Sequence, residues 1–456
     1  METLSQKIIA QWRNVGIDDI PAAIRRLAAL HFMDAIGVGL AASSLSIATP
    51  FRDAVAALGS GGRSTGFATS QAVPVASAAL MNGGLIHSLE YDDTHAGSIV
   101  HGSSVLAATA LAVGEDVGAS GTQVLAAFAK AWEVFIRIGL AGPGLFQAKG
   151  FQLTSVGGAP VAALLAADLM GLDDVAMANA VGIALSQSSG VFEFLSEGAT
   201  VKALHPGWAA HSGITAALLA AGGMTGPKTA LEGRFGLFRV FADDATAADT
   251  LAGSVADIGS HWHLSNAAFK FHPCCHYIHA FLECLSLALA EKSTAAEVAA
   301  IVCTVPPGAA PIICEPWAAK QSPATGYDAK FSLPYALAAH WRDGGTTVDT
   351  FEGDVEPDLV ALAGRVIWQP MRDADFPAHY QAAVTVRFTD GSEATARVED
   401  VYGGGSRPAT EQNVTDKFYV NAARIMSPHA ANELGTALLA LESLADVRDL
   451  PFERRV

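Results

Sequence analysis

Between His87 and Ser104 the chain reads His-Ser-Leu-Glu-Tyr-Asp-Asp-Thr-His-Ala-Gly-Ser-Ile-Val-His-Gly-Ser-Ser. Glu90, Asp92, Asp93, Thr94, His95 and His101 fall within twelve residues, and the sequence on either side is Ala-, Val-, Leu- and Gly-rich and almost free of charge. Three carboxylates and two imidazoles are costly to place among apolar helices unless they have partners. Groups of this kind, whose pKa values burial can tune, carry general acid–base chemistry. The plain alternative is a polar loop whose aspartates cap the helix that follows. Both readings are kept, with the acid–base site first.

Lysine is scarce, so its placement is informative. Lys202 lies in Val-Lys-Ala-Leu-His-Pro-Gly-Trp and Lys270 in Phe-Lys-Phe-His-Pro-Cys-Cys-His, without the acidic neighbours of a surface ion pair. One such lysine is ordinarily just solvated; two are better read as point charges that anchor an anionic substrate. His205, His211, His272, His276 and His279 nearby are individually weak signals. His276 and His279 have no H-E-x-x-H pattern to support metal binding, and no metal site is expected. Ser188, in Ser-Gln-Ser-Ser-Gly, offers a hydroxyl at a helix end, where a simple polar cap is the alternative. Tyr335 is a candidate phenolic acid, against the commoner core tyrosine. Leu231 to Gly236 lacks the spacing of a phosphate loop.

These residues need a scaffold, and composition limits which one. With 456 residues, 51% hydrophobic and 16% charged, the chain is globular and long enough for two or three domains. A net charge of −17 argues against nucleic acid. Cysteines 274, 275, 284, 303 and 314 form neither a disulfide framework nor a C-x-x-C pair, which points to a reducing compartment and away from zinc or iron–sulfur sites. The N-terminus has no signal-peptide pattern, and the long uncharged runs are broken by Gly, Pro, Ser and His, so a cytoplasmic protein is expected, not a membrane one.

Helices are predicted over 3–14, from Pro21 to about 42, and over 74–90, 103–117, 123–140, 156–170, 175–187 and 213–221. Strand signals are few before residue 265, so this half reads as all-α. Beyond Lys270 the pattern predicts strands near 299–305 and 366–368 and helices over 277–290 and 333–341. Residues 381–398 read as a hairpin that turns at Asp390-Gly391. Helices over 413–425 and 428–444 have no local sheet to cover. The expectation is a mainly α protein: a discontinuous all-helical domain (1–267 with 403–456) and a smaller α+β domain (268–402). A small ligand would be expected between the two.

The pattern resembles the MmgE/PrpD family. The match is carried by Ala79-Leu80-Met81-Asn82-Gly83, His87, Glu90-Tyr91-Asp92-Asp93-Thr94, His101 and Ser103. Further pieces are Lys202, Leu231-Glu232-Gly233, Lys270 with Pro273, Lys330-Phe331-Ser332 with Tyr335, and Lys417-Phe418. The resemblance implies that the smaller domain acts as a lid. It also implies a homodimer, a small di- or tricarboxylate substrate, and no metal or organic cofactor. Glu90, Asp93, Thr94, His101, Lys202, Lys270 and Tyr335 should line the pocket. Two positions depart from the family: Gln152 stands where a His is frequent, and Cys275 lies near a position where the family's cis-aconitate decarboxylases have a His. Gln152 hydrogen-bonds but exchanges no proton near neutral pH.

The expected chemistry is proton abstraction beside a carboxylate. His101 serves as base with Asp93 or Glu90 holding its ring, Lys202 and Lys270 stabilise the enolate-like anion, and Thr94, Ser188 and Gln152 position the substrate. Tyr335 or a lysine protonates a leaving hydroxyl. A 2-methylcitrate dehydratase-like hydro-lyase ranks first, an iminodisuccinate epimerase-like isomerase second and a cis-aconitate-type decarboxylase third. A non-catalytic carboxylate binder on the same scaffold is the rival.

Overall fold

The computed structural model describes residues 2–290, 297–376 and 378–453; the expected domain bounds also take in residues 1, 291–296, 377 and 454–456, which lie outside the described residues. The chain is mainly helical with small sheets. It divides into one unit of Met1–Ser88, Asp92–Phe269 and Thr410–Val456, and a second of Leu89–Tyr91 with Lys270–Ala409. Glu90 thus belongs to the second unit although its neighbours Asp92 and Asp93 belong to the first.

In the first unit, local sequence fixes where helices begin. Thr3 accepts from the Gln6 amide and Gln6 reaches back, closing a capping box on Leu4–Asn14. Pro21 stands at the N-cap of Ala22–Ala42, one position before the expected first turn, where its missing N–H costs nothing. The helix Val75–Ser88 is buried continuously from Ser77 to Ser88. It crosses Leu204–Ala221 at two glycines: a Cβ on Gly207 would lie 2.2 Å from Leu80 O, and one on Gly83 would lie 2.8 Å from Gly207 Cα. Only hydrogen fits there, so the two backbones touch. That contact also sets the spacing of His87, four residues beyond Gly83, and His205, two before Gly207.

Three expectations are corrected in this unit. Residues 156–170 are not one helix but Leu153–Val156 followed by Gly158–Leu169. Pro160 has no N–H to bond the Val156 carbonyl, so the ladder breaks there. The helix expected from Gly213 begins at Leu204, because Pro206 falls in the first turn, where no earlier carbonyl needs its N–H. The helical half also contains a short ladder, β1 (Thr94–His95) antiparallel to β2 (Ala267–Ala268), with Thr94 opposite Ala268.

The second unit contains β3 (Val298–Val305), β4 (Val366–Pro370), β5 (Ala382–Phe388) and β6 (Glu393–Val398), in the order β4-β3-β5-β6. β5 and β6 form the expected hairpin, with Val384 opposite Ala396 and Val386 opposite Ala394. Their inward residues are buried in alternation and the helix His276–Ala290 covers them. β3 runs parallel to β4 and antiparallel to β5. All five cysteines are buried thiols. No helix among the described residues is long and apolar enough to cross a membrane.

Candidate active site

Unit one gathers a buried polar cluster around the start of the helix Gly102–Val117. The preceding loop is pinned at its base, where His95 N donates to Val100 O at 2.9 Å. This closure brings Thr94 and His101, seven residues apart, side by side, with Thr94 Oγ1 3.1 Å from His101 Nδ1. The same Nδ1 lies 3.0 Å from the backbone oxygen of Asp93 and 3.8 Å from the Asp92 carboxylate. The His101 amide donates to Thr154 Oγ1 at 3.1 Å.

The two adjacent aspartates face different partners. Asp92 Oδ2 receives His87 Nδ1 at 2.7 Å, and both side chains are fully buried. Asp93 receives His31 Nδ1 at 2.8 Å, the Ser103 amide at 3.1 Å and the Ser103 hydroxyl. The Asp93 carboxylate therefore caps the Gly102–Val117 helix, as the plain alternative expected, and does not hold the His101 ring. That ring sits against the Asp93 backbone carbonyl, with Asp92 as the nearer carboxylate. The chain bends at Asp92, just before β1, and the two adjacent side chains reach different partners. His31 stacks on Phe269 with centroids 4.0 Å apart.

Gln152 opens a short polar segment. Its Nε2 lies 3.2 Å from His87 Nε2 and its Oε1 2.5 Å from His205 Nδ1. Its backbone N–H donates to Gly190 O at 3.0 Å, and Ser155 Oγ donates to His205 O at 3.1 Å. Both ends of the Gln152 amide are thus engaged by imidazoles. Burial above all holds His205 down to about 4, and the positive charge of Lys202 works in the same direction. Burial likewise lowers His95 to about 4. Lys202 is buried in the short turn Thr200–Ala203 that leads into the His205 helix. Ser188 is half-buried, just beyond the helix Asp174–Leu185, and its hydroxyl bonds Ala184 O in the last turn at 3.4 Å, as a polar cap does.

In unit two, Lys270 is 1% exposed and donates to the Glu90 backbone oxygen at 3.1 Å, with the Glu90 carboxylate 3.9 Å away. Glu90 has φ of 53°, a left-handed conformation that a non-glycine residue rarely adopts, and the lysine contact braces it. The Cys275 amide donates to Lys330 O at 2.8 Å. Tyr335 belongs to the apolar core of this unit, and its hydroxyl accepts from the Glu356 amide at 3.3 Å. Burial raises its pKa. These are the surroundings of a core tyrosine, the commoner alternative. His276 and His279 stack edge-to-face with centroids 4.8 Å apart. A recess of about 520 Å³ in this unit is lined by charges that pair with one another, Arg407 with Glu283 at 2.6 Å and His379 with Asp400 at 3.2 Å.

Among the described residues, His87, Asp92 and His101 are the group whose donor atoms, all within 4.8 Å of one another, could ligate a divalent ion. The 2.7 Å contact between His87 and Asp92 is equally a plain hydrogen bond. Sequence reasoning counted Asp92 in the acid–base stretch without giving it a role, and it gave none to His87, Thr154 and His31. Asp92 and His87 had a signal, a buried-helix histidine five residues before an acidic pair; Thr154 and His31 had none, because their partners are distant in sequence.

Buried imidazoles on crossed helices, with carboxylates on the loop between them, make a constellation suited to acid–base chemistry. The chain matches the MmgE/PrpD N-terminal domain over residues 7–249 and the MmgE/PrpD C-terminal domain over 272–443, and it belongs to that family. It is 26% identical to cis-aconitate decarboxylase of Aspergillus terreus over 468 residues, covering 97% of this chain and 94% of the relative. It is 29% identical to human cis-aconitate decarboxylase over 393 residues, covering 82% of this chain and 78% of the relative.

Proposed function

We propose that the protein is a lyase acting on a small di- or tricarboxylate through proton transfer at a carbon beside a carboxylate. The observation that carries this reading is the setting of His101. A backbone carbonyl only accepts, so the Nδ1 that faces Asp93 O at 3.0 Å carries hydrogen, and Nε2 of the neutral ring holds the lone pair. Taking a proton from carbon makes the ring an imidazolium. The Asp92 carboxylate 3.8 Å away attracts that cation by on the order of 4 kcal/mol before desolvation. Lys202 supplies a fixed positive charge for a substrate carboxylate. Lys270, braced against Glu90, is proposed as a carboxylate anchor in the second unit.

Within this class the relatives' names favour decarboxylation of a cis-aconitate-like tricarboxylate. The carbon–carboxylate bond breaks and carbon dioxide leaves, its electron pair moves into the neighbouring π system, and the carbanion takes a proton from His101 in its imidazolium form, the ring having drawn that proton from solvent. Dehydration of a hydroxy tricarboxylate, as in 2-methylcitrate dehydratase, is the second reading. It is supported by the family and by Gln152, which stands where a proton-exchanging His is frequent. Epimerisation stands third. The protein is proposed to act without metal or organic cofactor, as a cytoplasmic homodimer. Incubation with a set of small carboxylates, followed by NMR, decides the reaction: release of carbon dioxide supports the first reading, and release of water with a new double bond supports the second. Neither product from any di- or tricarboxylate contradicts both.

A further inference from the structure

The amide of Gln152 stands between two imidazoles, His87 Nε2 at 3.2 Å and His205 Nδ1 at 2.5 Å. An amide is directional: its nitrogen donates and its oxygen accepts. The direction is anchored from the far side of His87. Its Nδ1 lies 2.7 Å from Asp92 Oδ2, which as a carboxylate only accepts, so that nitrogen carries hydrogen. The amide nitrogen then meets a His87 Nε2 that holds a lone pair, and the amide oxygen takes hydrogen from His205 Nδ1. The Gln152 backbone is also fixed at both ends. Its N–H bonds Gly190 O, and its C=O accepts from Ser155 and Val156 at the start of the next helix.

We propose that Gln152 is a positioning residue that fixes His87 and His205 as neutral Nδ1–H tautomers and interrupts the proton path between them. An amide takes up and releases no proton near neutral pH, so a proton on one ring cannot reach the other through it. Burial agrees with this for His205, which is held down to about 4. The consequence for catalysis rests on the function proposed above: with His87 and His205 locked, exchange with substrate is left to His101. A histidine in place of Gln152 would join the two rings into a relay, so this position would decide whether the site has one proton-exchanging imidazole or several.

The test is long-range proton–nitrogen NMR of the full chain labelled with ¹⁵N-histidine at neutral pH, with the two rings assigned from His87→Asn and His205→Asn. Both rings are expected to show a protonated Nδ1 and a bare Nε2. In Gln152→Met, which keeps volume but offers neither donor nor acceptor, His205 should also populate the Nε2–H form. In Gln152→Glu the new carboxylate should place a second proton on His87. An imidazolium or Nε2–H form of His87 in the unaltered protein overturns the proposal, as do ring signals unchanged in both variants. The unaltered protein decides even where a variant fails to fold. The expected tautomers in a protein that exchanges no substrate proton would sink the function reading and leave the role of Gln152 standing.

Discussion

Asp92 turns its carboxylate to His87 and, 3.8 Å away, to His101, whereas Asp93 turns to His31 and the amide of Ser103. The two should therefore fail differently. Asp92→Asn removes the charge that favours an imidazolium at His101, and substrate proton exchange should fall roughly hundredfold, within the usual range for general acid–base effects. Asp93→Asn leaves the helix start and His31 with a weaker acceptor, and should cost about 1–3 kcal/mol in denaturant melts. If Asp93→Asn suppresses exchange in fully folded protein while Asp92→Asn does not, these roles are reversed. The residue types of this loop were legible in sequence, and so was the capping alternative. Which aspartate faces which histidine was not, because it depends on local dihedrals such as the left-handed φ of 53° at Glu90 and on His31, whose ring is brought in from another helix.

At the scale of elements, the crossing of Val75–Ser88 with Leu204–Ala221 holds His87 and His205 at the two ends of the Gln152 amide. Gly207→Ala would place a methyl 2.2 Å from Leu80 O, against backbone that cannot step aside. The helices should separate, with a loss of about 1–3 kcal/mol in stability, as for overpacking, and with disturbed NMR signals from both histidines. Unchanged stability and ring signals would show that the glycine contact does not set their spacing. Helices with strong signals were readable from the sequence: Pro21 marked one start, and the Asp390-Gly391 turn fixed the β5–β6 register. The β1–β2 ladder escaped because two residues carry no periodicity and the partner strands lie far apart in sequence. The break at Gly157 escaped because apolar spacing continued through it, and only the missing N–H of Pro160 signalled it.

At the scale of the molecule, the fully buried ion pair of Asp34 with Lys417, at 2.8 Å, ties the second helix of the chain to one near its end. Burial raises Asp34 from 3.8 to about 6, and the Lys417 charge opposes that rise. The folded state therefore holds this proton more tightly than the unfolded chain does. Its contribution to stability is complete below 3.8 and is lost as pH rises toward 6. Lys417→Met strands the carboxylate and should cost about 3–5 kcal/mol at neutral pH, with a smaller loss near pH 5, where Asp34 can take up a proton. An equal loss at both pH values would show that burial of the charge is not the cause. Chelators should leave activity intact. One divalent ion per chain, held by His87, Asp92 and His101 and needed for turnover, would replace the proton-transfer account with a metal-based one.

The central claim is that a substrate proton moves through His101. Its most direct test is incorporation of solvent deuterium at the carbon beside the substrate carboxylate, followed by NMR in the unaltered protein and in His101→Asn. The unaltered protein should exchange. The variant should lose exchange while holding its ligand within about tenfold, roughly 1.4 kcal/mol, because Thr94, Lys202 and the Asp92–His87 pair remain in place. Full exchange in His101→Asn would contradict the account.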